Sequence, residues 1–275
     1  MLKTRVITAL VLLAVLLPIL FFLPPVYIGG FFLIALLAGA WEWSRLLAPE
    51  AGRAAYLYAV FCLAIIVFLL ATQNVSWQFG LLLLAVLFWF LVAPFILARG
   101  MHLSLDRLRS FYVVLGLILL PATWFALAFL RELGLVFLLT TMALVWVADI
   151  GAYFVGKAFG KRKLAAQISP GKSVEGALGG LVLCCVYALA CVFFLPFEST
   201  LFGAWAIRFG WVPMFLMVAA LTAFSIFGDL FESQLKRLAG VKDGSHLLPG
   251  HGGVLDRVDA LIPTMPIAAL LAGLV

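Results

Sequence analysis

Charge is what this sequence has least of. Of 275 residues only 11% are Asp, Glu, Lys or Arg and three are His, whereas 66% are hydrophobic. A soluble domain carries about 25% charged and roughly 45–50% apolar residues, so there is too little polar surface here to cover a globule in water. The same balance excludes a disordered chain, which needs low hydrophobicity and high net charge. Cysteine is scarce as well. Cys62, Cys184, Cys185 and Cys191 all sit in apolar runs, with no CxxC spacing and no neighbouring His. They predict neither a disulfide framework nor a zinc site, and read as small apolar residues that pack or face lipid.

Long apolar runs are what is there. A helix crosses the hydrocarbon core in about 20 residues. Nine runs of that length lie near 5–23, 27–48, 54–72, 78–98, 110–130, 134–157, 174–195, 211–235 and 258–275. They predict an all-α, polytopic integral membrane protein with nine transmembrane helices. The first run follows Lys3 and Arg5 in the manner of a signal peptide. It is longer than a usual h-region, has no small-x-small cleavage site and leads into Pro24-Pro25, so it reads as an uncleaved first helix.

Basic residues test that count. With the N-terminus in the cytoplasm, all but two of the 18 Lys and Arg residues fall on the cytoplasmic side; only Arg131 and Arg208 lie opposite. This is the positive-inside asymmetry, and it predicts a C-terminus on the outer side. Basic residues beside lipid headgroups account for the net charge of +6 without any nucleic-acid partner. No internal repeat is evident, which weakens an inverted-repeat transporter.

The half of the chain through about residue 130 is nearly silent chemically. Glu42, in Trp41-Glu42-Trp43, is the one acid inside a span there and is expected to snorkel or to pair helices. Arg99, His102, Asp106, Arg107 and Arg109 read as an interfacial basic segment. Residues 1–130 are therefore expected to supply anchoring, lipid access and dimer contacts, and 131–275 the catalytic region.

Three stretches of that second region collect the remaining polar residues. One runs from Asp149 through Lys157, Lys161, Arg162 and Lys163 to Ser169-Pro170-Gly171-Lys172-Ser173. Another holds Asp229, Glu232 and Ser233 ahead of Lys236-Arg237. The third extends from Lys242-Asp243-Gly244 through Pro249-Gly250-His251-Gly252-Gly253 to Asp256-Arg257-Val258-Asp259. Ionisable residues at membrane depth are costly and mark function by default. On a helix, Ser225, Asp229, Glu232, Ser233 and Lys236 form one stripe, and Asp256 and Asp259 lie one turn apart. Clustered carboxylates need a positive partner, and oxygen donors suit a hard cation such as Mg²⁺. The nearby Lys and Arg suit phosphate oxygens, and the glycines allow close backbone approach. Acids, bases and glycines together spell metal-assisted phosphoryl or nucleotidyl transfer. Asp229 and Glu232 as a purely structural ion pair with Lys236 or Arg237 is the competing reading. Gly171-Lys172-Ser173 is not a Walker A end, since the preceding glycine and strand are missing. His251 between glycines fits a turn or phosphate contact better than a general base.

From Ser233 to Asp259 the sequence resembles the signature of the phosphatidate cytidylyltransferases, or CDP-diacylglycerol synthases. Ser233-x-x-Lys236-Arg237, Lys242-Asp243-Gly244 and His251-Gly252-Gly253-x-x-Asp256-Arg257-x-Asp259 stand at the family's spacing. The resemblance implies an enzyme of phospholipid biosynthesis in which CTP and phosphatidate give CDP-diacylglycerol and pyrophosphate. Mg²⁺ is implied, with a second, monovalent cation left open, as are a homodimer and the bacterial inner membrane. On this reading Asp229, Asp256, Lys236 and Arg257 are catalytic, and Asp229, Asp256, Asp259 and Glu232 are metal ligands. Lys172, Ser173, Ser169, Arg237, Lys242, His251, Gly252, Gly253 and Asp149 would bind substrate. The rival readings are a CTP-dependent lipid-alcohol kinase and, from another class, an ion or phosphate transporter.

Overall fold

The computed structural model describes residues 24–275 except Ala51 and His251, together with Ala14, Pro18, Phe21 and Phe22. The run expected as the first span, 5–23, lies almost wholly outside the described residues. Seven helices are long and apolar enough to cross a membrane among the residues described.

Helix α1, Pro25–Leu47, opens with proline at its first position, where the missing N–H costs no hydrogen bond. Helix α2 covers Gly52–Thr72. Helix α3, Val75–Leu87, is capped by the Asn74 side chain and passes through a π-turn at Phe88–Val92 into α4, Ala93–Arg99. The π-turn sits directly ahead of Pro94, which has no N–H to continue the α ladder. Helix α5 spans Leu105–Leu133 and α6 spans Leu135–Phe159. Helix α7, Val174–Phe194, is followed by the short α8, Leu201–Phe209, and the long α9, Trp211–Leu238.

The centre of the bundle is α5. Its residues 119–127 are buried without a break, as expected of a helix that is apolar on all sides. Indole and phenol groups tie its neighbours to its backbone. Trp43 Nε1 donates to the Tyr112 carbonyl at 3.0 Å, Trp124 Nε1 to Gly29 at 3.0 Å, and Tyr58 Oη to Val113 at 2.8 Å. Helices α6 and α7 approach each other across glycines: a Cβ on Gly151 would lie 2.9 Å from the Gly180 Cα. Small residues permit such backbone contact where lipid supplies no hydrophobic drive.

Two elements differ from the sequence expectation. The run at 258–275 is not one long helix. It forms a single turn, α10 at Leu255–Val258, and a 12-residue helix, α11 at Leu261–Ala272. At 1.5 Å per residue α11 reaches about 18 Å, short of a hydrocarbon core about 30 Å thick. It is buried continuously from 261 to 269, packed on α5, α9 and α3. Pro266 leaves the Ile262 carbonyl without its helical donor, and the Thr123 hydroxyl of α5 approaches it at 3.4 Å. The second difference is a β-hairpin in an otherwise helical chain. Strands β1, Lys163–Ala165, and β2, Ser169–Ser173, pair antiparallel with Lys163 opposite Ser173 and Ala165 opposite Ser169. The cysteines behave as expected: all four are free, and Cys62, Cys184 and Cys191 are buried.

Candidate active site

Helix α9 has 28 residues, so it is about 42 Å long, well beyond the thickness of the hydrocarbon core. Asp229, Glu232 and Lys236 lie in its last three turns. Their spacing puts them on one face, as the sequence predicts. Two clusters form along that face.

The outer cluster centres on Asp229. The Lys172 ammonium, presented by β2, stands 2.5 Å from Asp229 Oδ2, and the Ser233 hydroxyl donates to Oδ1 at 3.2 Å. Asp149 of α6 and Asp259, just after α10, lie within electrostatic reach of Asp229 and of Lys172. Gly228 allows this approach, because a Cβ there would meet the Asp259 carbonyl and the Pro263 ring.

The inner cluster is nearly dry. The Lys236 ammonium bridges Glu232 Oε2, at 2.5 Å, and Asp256 Oδ1. The Glu232 side chain is only 3% exposed, and its Oε1 has no hydrogen-bond partner among the described residues. Asp256 Oδ2 accepts from the backbone N–H of Gly253 at 2.7 Å and of Gly244 at 3.1 Å. Burial alone would raise the Asp256 carboxyl. The Lys236 ammonium and the two glycine N–H groups more than offset it and hold the group below the usual carboxylate range.

Not every expected residue joins these clusters. Ser173 caps α7, accepting from the Gly176 N–H at 3.1 Å, and is buried beneath Gly156 and Gly160. Ser169 is half-buried at the start of β2. Arg237 and Lys242 are exposed and form no ion pair among the described residues, and Arg257 is exposed as well. Gly252 adopts φ +82°, a left-handed conformation that favours glycine, and its carbonyl accepts from Leu248 N at 2.9 Å. His251 lies outside the described residues.

The hairpin and α9 also share an apolar cavity of about 440 Å³. Phe227 and Leu230, on either side of Asp229, line it together with Leu97 of α4, Ile168 of the hairpin and Ala177 of α7.

Sequence reasoning missed Glu42. It is fully buried, at 0% exposure, and accepts from the Ser245 hydroxyl, from Val254 N at 3.0 Å and from Leu255 N at 2.6 Å. The available signal was its isolation as an acid within an apolar span. Gln234 was missed too; its amide donates to the carbonyls of Ile96 at 3.0 Å and Gly100 at 2.6 Å, tying α9 to the end of α4. The site thus draws on residues from both sides of position 130.

No three His, Cys, Asp or Glu side chains among the described residues come together closely enough to hold a metal ion by themselves. All-oxygen carboxylate pairs of this kind suit Mg²⁺, which takes one or two carboxylates and completes its shell with substrate phosphates and water.

The chain matches the model of the Cytidylyltransferase family over residues 3–275. It is 42% identical to a phosphatidate cytidylyltransferase of Pseudomonas aeruginosa, over 98% of this chain and 97% of that protein. It is 37% identical to the protein of the same name from Haemophilus influenzae, covering 97% and 96% of the two chains. The likeness to the Staphylococcus haemolyticus protein of that name is 31%, over 98% of each. With its two lysine-paired carboxylate clusters set against a glycine-rich loop, the chain belongs to the cytidylyltransferase family.

Proposed function

We propose that the protein is a phosphatidate cytidylyltransferase, joining CTP to phosphatidate to give CDP-diacylglycerol and pyrophosphate. One observation carries this reading beyond the family match: Lys172 with Asp229, and Lys236 with Glu232 and Asp256, gather along the end of α9, and Asp256 is held by the N–H groups of a glycine-rich loop. A nucleoside triphosphate and a lipid phosphate both need such ammonium groups, set among oxygen donors that suit a cation.

A phosphate oxygen of phosphatidate attacks the α-phosphorus of CTP. The new P–O bond forms as the bond to the bridging oxygen breaks, and the electron pair leaves with pyrophosphate. The attacking phosphate is anionic at neutral pH, so no strong general base is needed. Lys172 exchanges Asp229 for a phosphate oxygen, a charge-assisted contact of similar kind. Lys236 and Arg257 offset the negative charge that builds on the leaving group, while Arg237 and Lys242 hold the triphosphate at the exposed rim. Asp149, Ser169 and Gly252 would complete the substrate site, while Ser173, as the cap of α7, anchors the hairpin that presents Lys172. Asp229, Asp256, Asp259 and Glu232 are the oxygen donors that would hold Mg²⁺, which would supply Lewis-acid neutralisation of the triphosphate.

The positive-inside rule supports a site on the cytoplasmic side, since the basic residues of 157–172 and 236–257 flank it in the sequence. The bacterial relatives suggest an inner membrane, and homodimerisation follows from the family resemblance alone.

The test uses purified protein in detergent with phosphatidate, Mg²⁺ and CTP labelled at the α-phosphate. Label is expected in the organic phase with an equal amount of pyrophosphate, and EDTA should abolish both. Unlabelled lipid with release of CDP would replace this reading with a lipid kinase. Absence of turnover with any lipid acceptor would favour a transporter.

A further inference from the structure

Glu42 is fully buried, and among the described residues no lysine or arginine lies in ion-pair contact with it. Its acceptors are filled instead by both flanks of the glycine-rich loop. Ser245, at the loop's entry, donates its hydroxyl to Oε1. Val254 and Leu255, at its exit, donate backbone N–H groups to Oε1 and Oε2 at 3.0 and 2.6 Å. Asp256 grips the same flanks from the other side through Gly244 and Gly253. Gly253 lies so close to Glu42 that a Cβ there would sit 2.6 Å from the carboxylate.

The side chain next to Glu42 fixes its backbone in place. Trp43 is buried, donates to the Tyr112 carbonyl of α5 and stacks on Phe231 of α9, with ring centroids 6.2 Å apart. Phe231 immediately precedes Glu232. The end of α1 is therefore held against the helix that carries the acidic stripe, and it holds in turn the loop that carries Asp256.

We propose that Glu42 is a positioning residue for cytidylyl transfer: it closes the loop 245–254 and sets Asp256 against Lys236 on α9. It touches neither substrate. This inference rests on the reaction proposed above.

Two measurements on the full-length enzyme in detergent test it, comparing the wild type with Glu42→Gln, Ser245→Ala and the double variant. The first is hydrogen exchange. Glu42→Gln keeps the volume but replaces one acceptor with a donor, and should accelerate exchange at 244–256 while α5 and α9 keep their protection. The second is kinetics. A displaced acid typically costs on the order of 100-fold, so kcat/KM for CTP should fall by about that much in Glu42→Gln while KM for phosphatidate stays within about twofold. Ser245→Ala, which removes one of the three contacts, should have a smaller effect, and the double variant should lose less than the product of the two single losses, because both act on the same carboxylate.

Loss of protection throughout the bundle, with both KM values unchanged and kcat tracking the folded fraction, would make Glu42 a structural residue and overturn the proposal. So would a loosened loop with unaltered kcat/KM. Absence of cytidylyl transfer by the wild type would defeat the assigned reaction, whereas the exchange pattern would still decide whether the clasp exists.

Discussion

The ends of α1 and α9 each bring carboxylates to the same corner of the bundle, and they stabilise them in opposite ways. Glu42 is satisfied by a hydroxyl and two backbone N–H groups. Asp229 and Glu232 meet lysine ammonium groups at 2.5 Å. A backbone-bound carboxylate cannot change partners without unfolding the loop that binds it. A lysine-bound one can: in the proposed reaction a phosphate oxygen would replace the carboxylate at the ammonium and a cation would replace the ammonium at the carboxylate. The difference separates a carboxylate that organises the site from carboxylates that take part in exchange.

The largest effect should fall at the exchangeable end. Asp229→Asn keeps the shape but removes the charge that meets Lys172 and one of the two acceptor oxygens, and cytidylyl transfer should drop by at least about 100-fold. Thermal unfolding in detergent should move little, since the Asp229 side chain is 31% exposed. A retained rate would break the comparison by making Asp229 merely structural.

Lys236→Met should sharpen it from the side of stability. The substitution leaves Glu232 and Asp256 buried without their shared cation, and breaking a buried pair in this way typically costs about 3–5 kcal/mol. Denaturation of the variant should show a loss of that order as well as inactivity. A fully stable variant would mean that the two acids are protonated or paired elsewhere.

How far these contrasts were legible beforehand depended on their range in the chain. The stripe on α9 was visible because Asp229, Glu232 and Lys236 recur at helical spacing within eight residues. The seven long helices were visible because an apolar run of span length has few other uses in so uncharged a chain. Helix α11 was not, since hydropathy cannot tell a buried core helix from a lipid-facing one; length and Pro266 decide. The hairpin was hidden by Pro170 and Gly171, which are poor strand residues. Glu42 was hidden because its partners lie more than 200 positions away, and no local pattern records such a contact.

Asp256 offers a test by pH, since it stands between the two modes, held by Lys236 and by two backbone N–H groups. Its folded carboxyl is held below the ordinary range. It therefore contributes stability that is fully present above the unfolded value, near 3.9, and is lost as pH falls through the lowered folded value. The destabilisation caused by Asp256→Asn should be constant from about pH 7 to 5 and shrink below about pH 4. A pH-independent penalty would assign the contribution to packing.

A smaller effect is expected from Gly253→Ala. The added methyl would press on a Glu42 carboxylate that three hydrogen bonds hold in place. Turnover should fall about tenfold through loop displacement, and Glu42→Asp, which withdraws the carboxylate, should restore part of it in the double variant.

The smallest effect should come from the exposed rim. Lys242 forms no ion pair among the described residues and lies in solvent, so Lys242→Gln removes only a screened attraction for the triphosphate. KM for CTP should rise about two- to fivefold at low salt and converge on the wild-type value near 0.5 M salt, where the Debye length falls to roughly 4 Å. The unfolding midpoint should not change. A salt-independent rise would mean that Lys242 touches the nucleotide directly, and would move it from the rim into the group of lysines that exchange partners during the reaction.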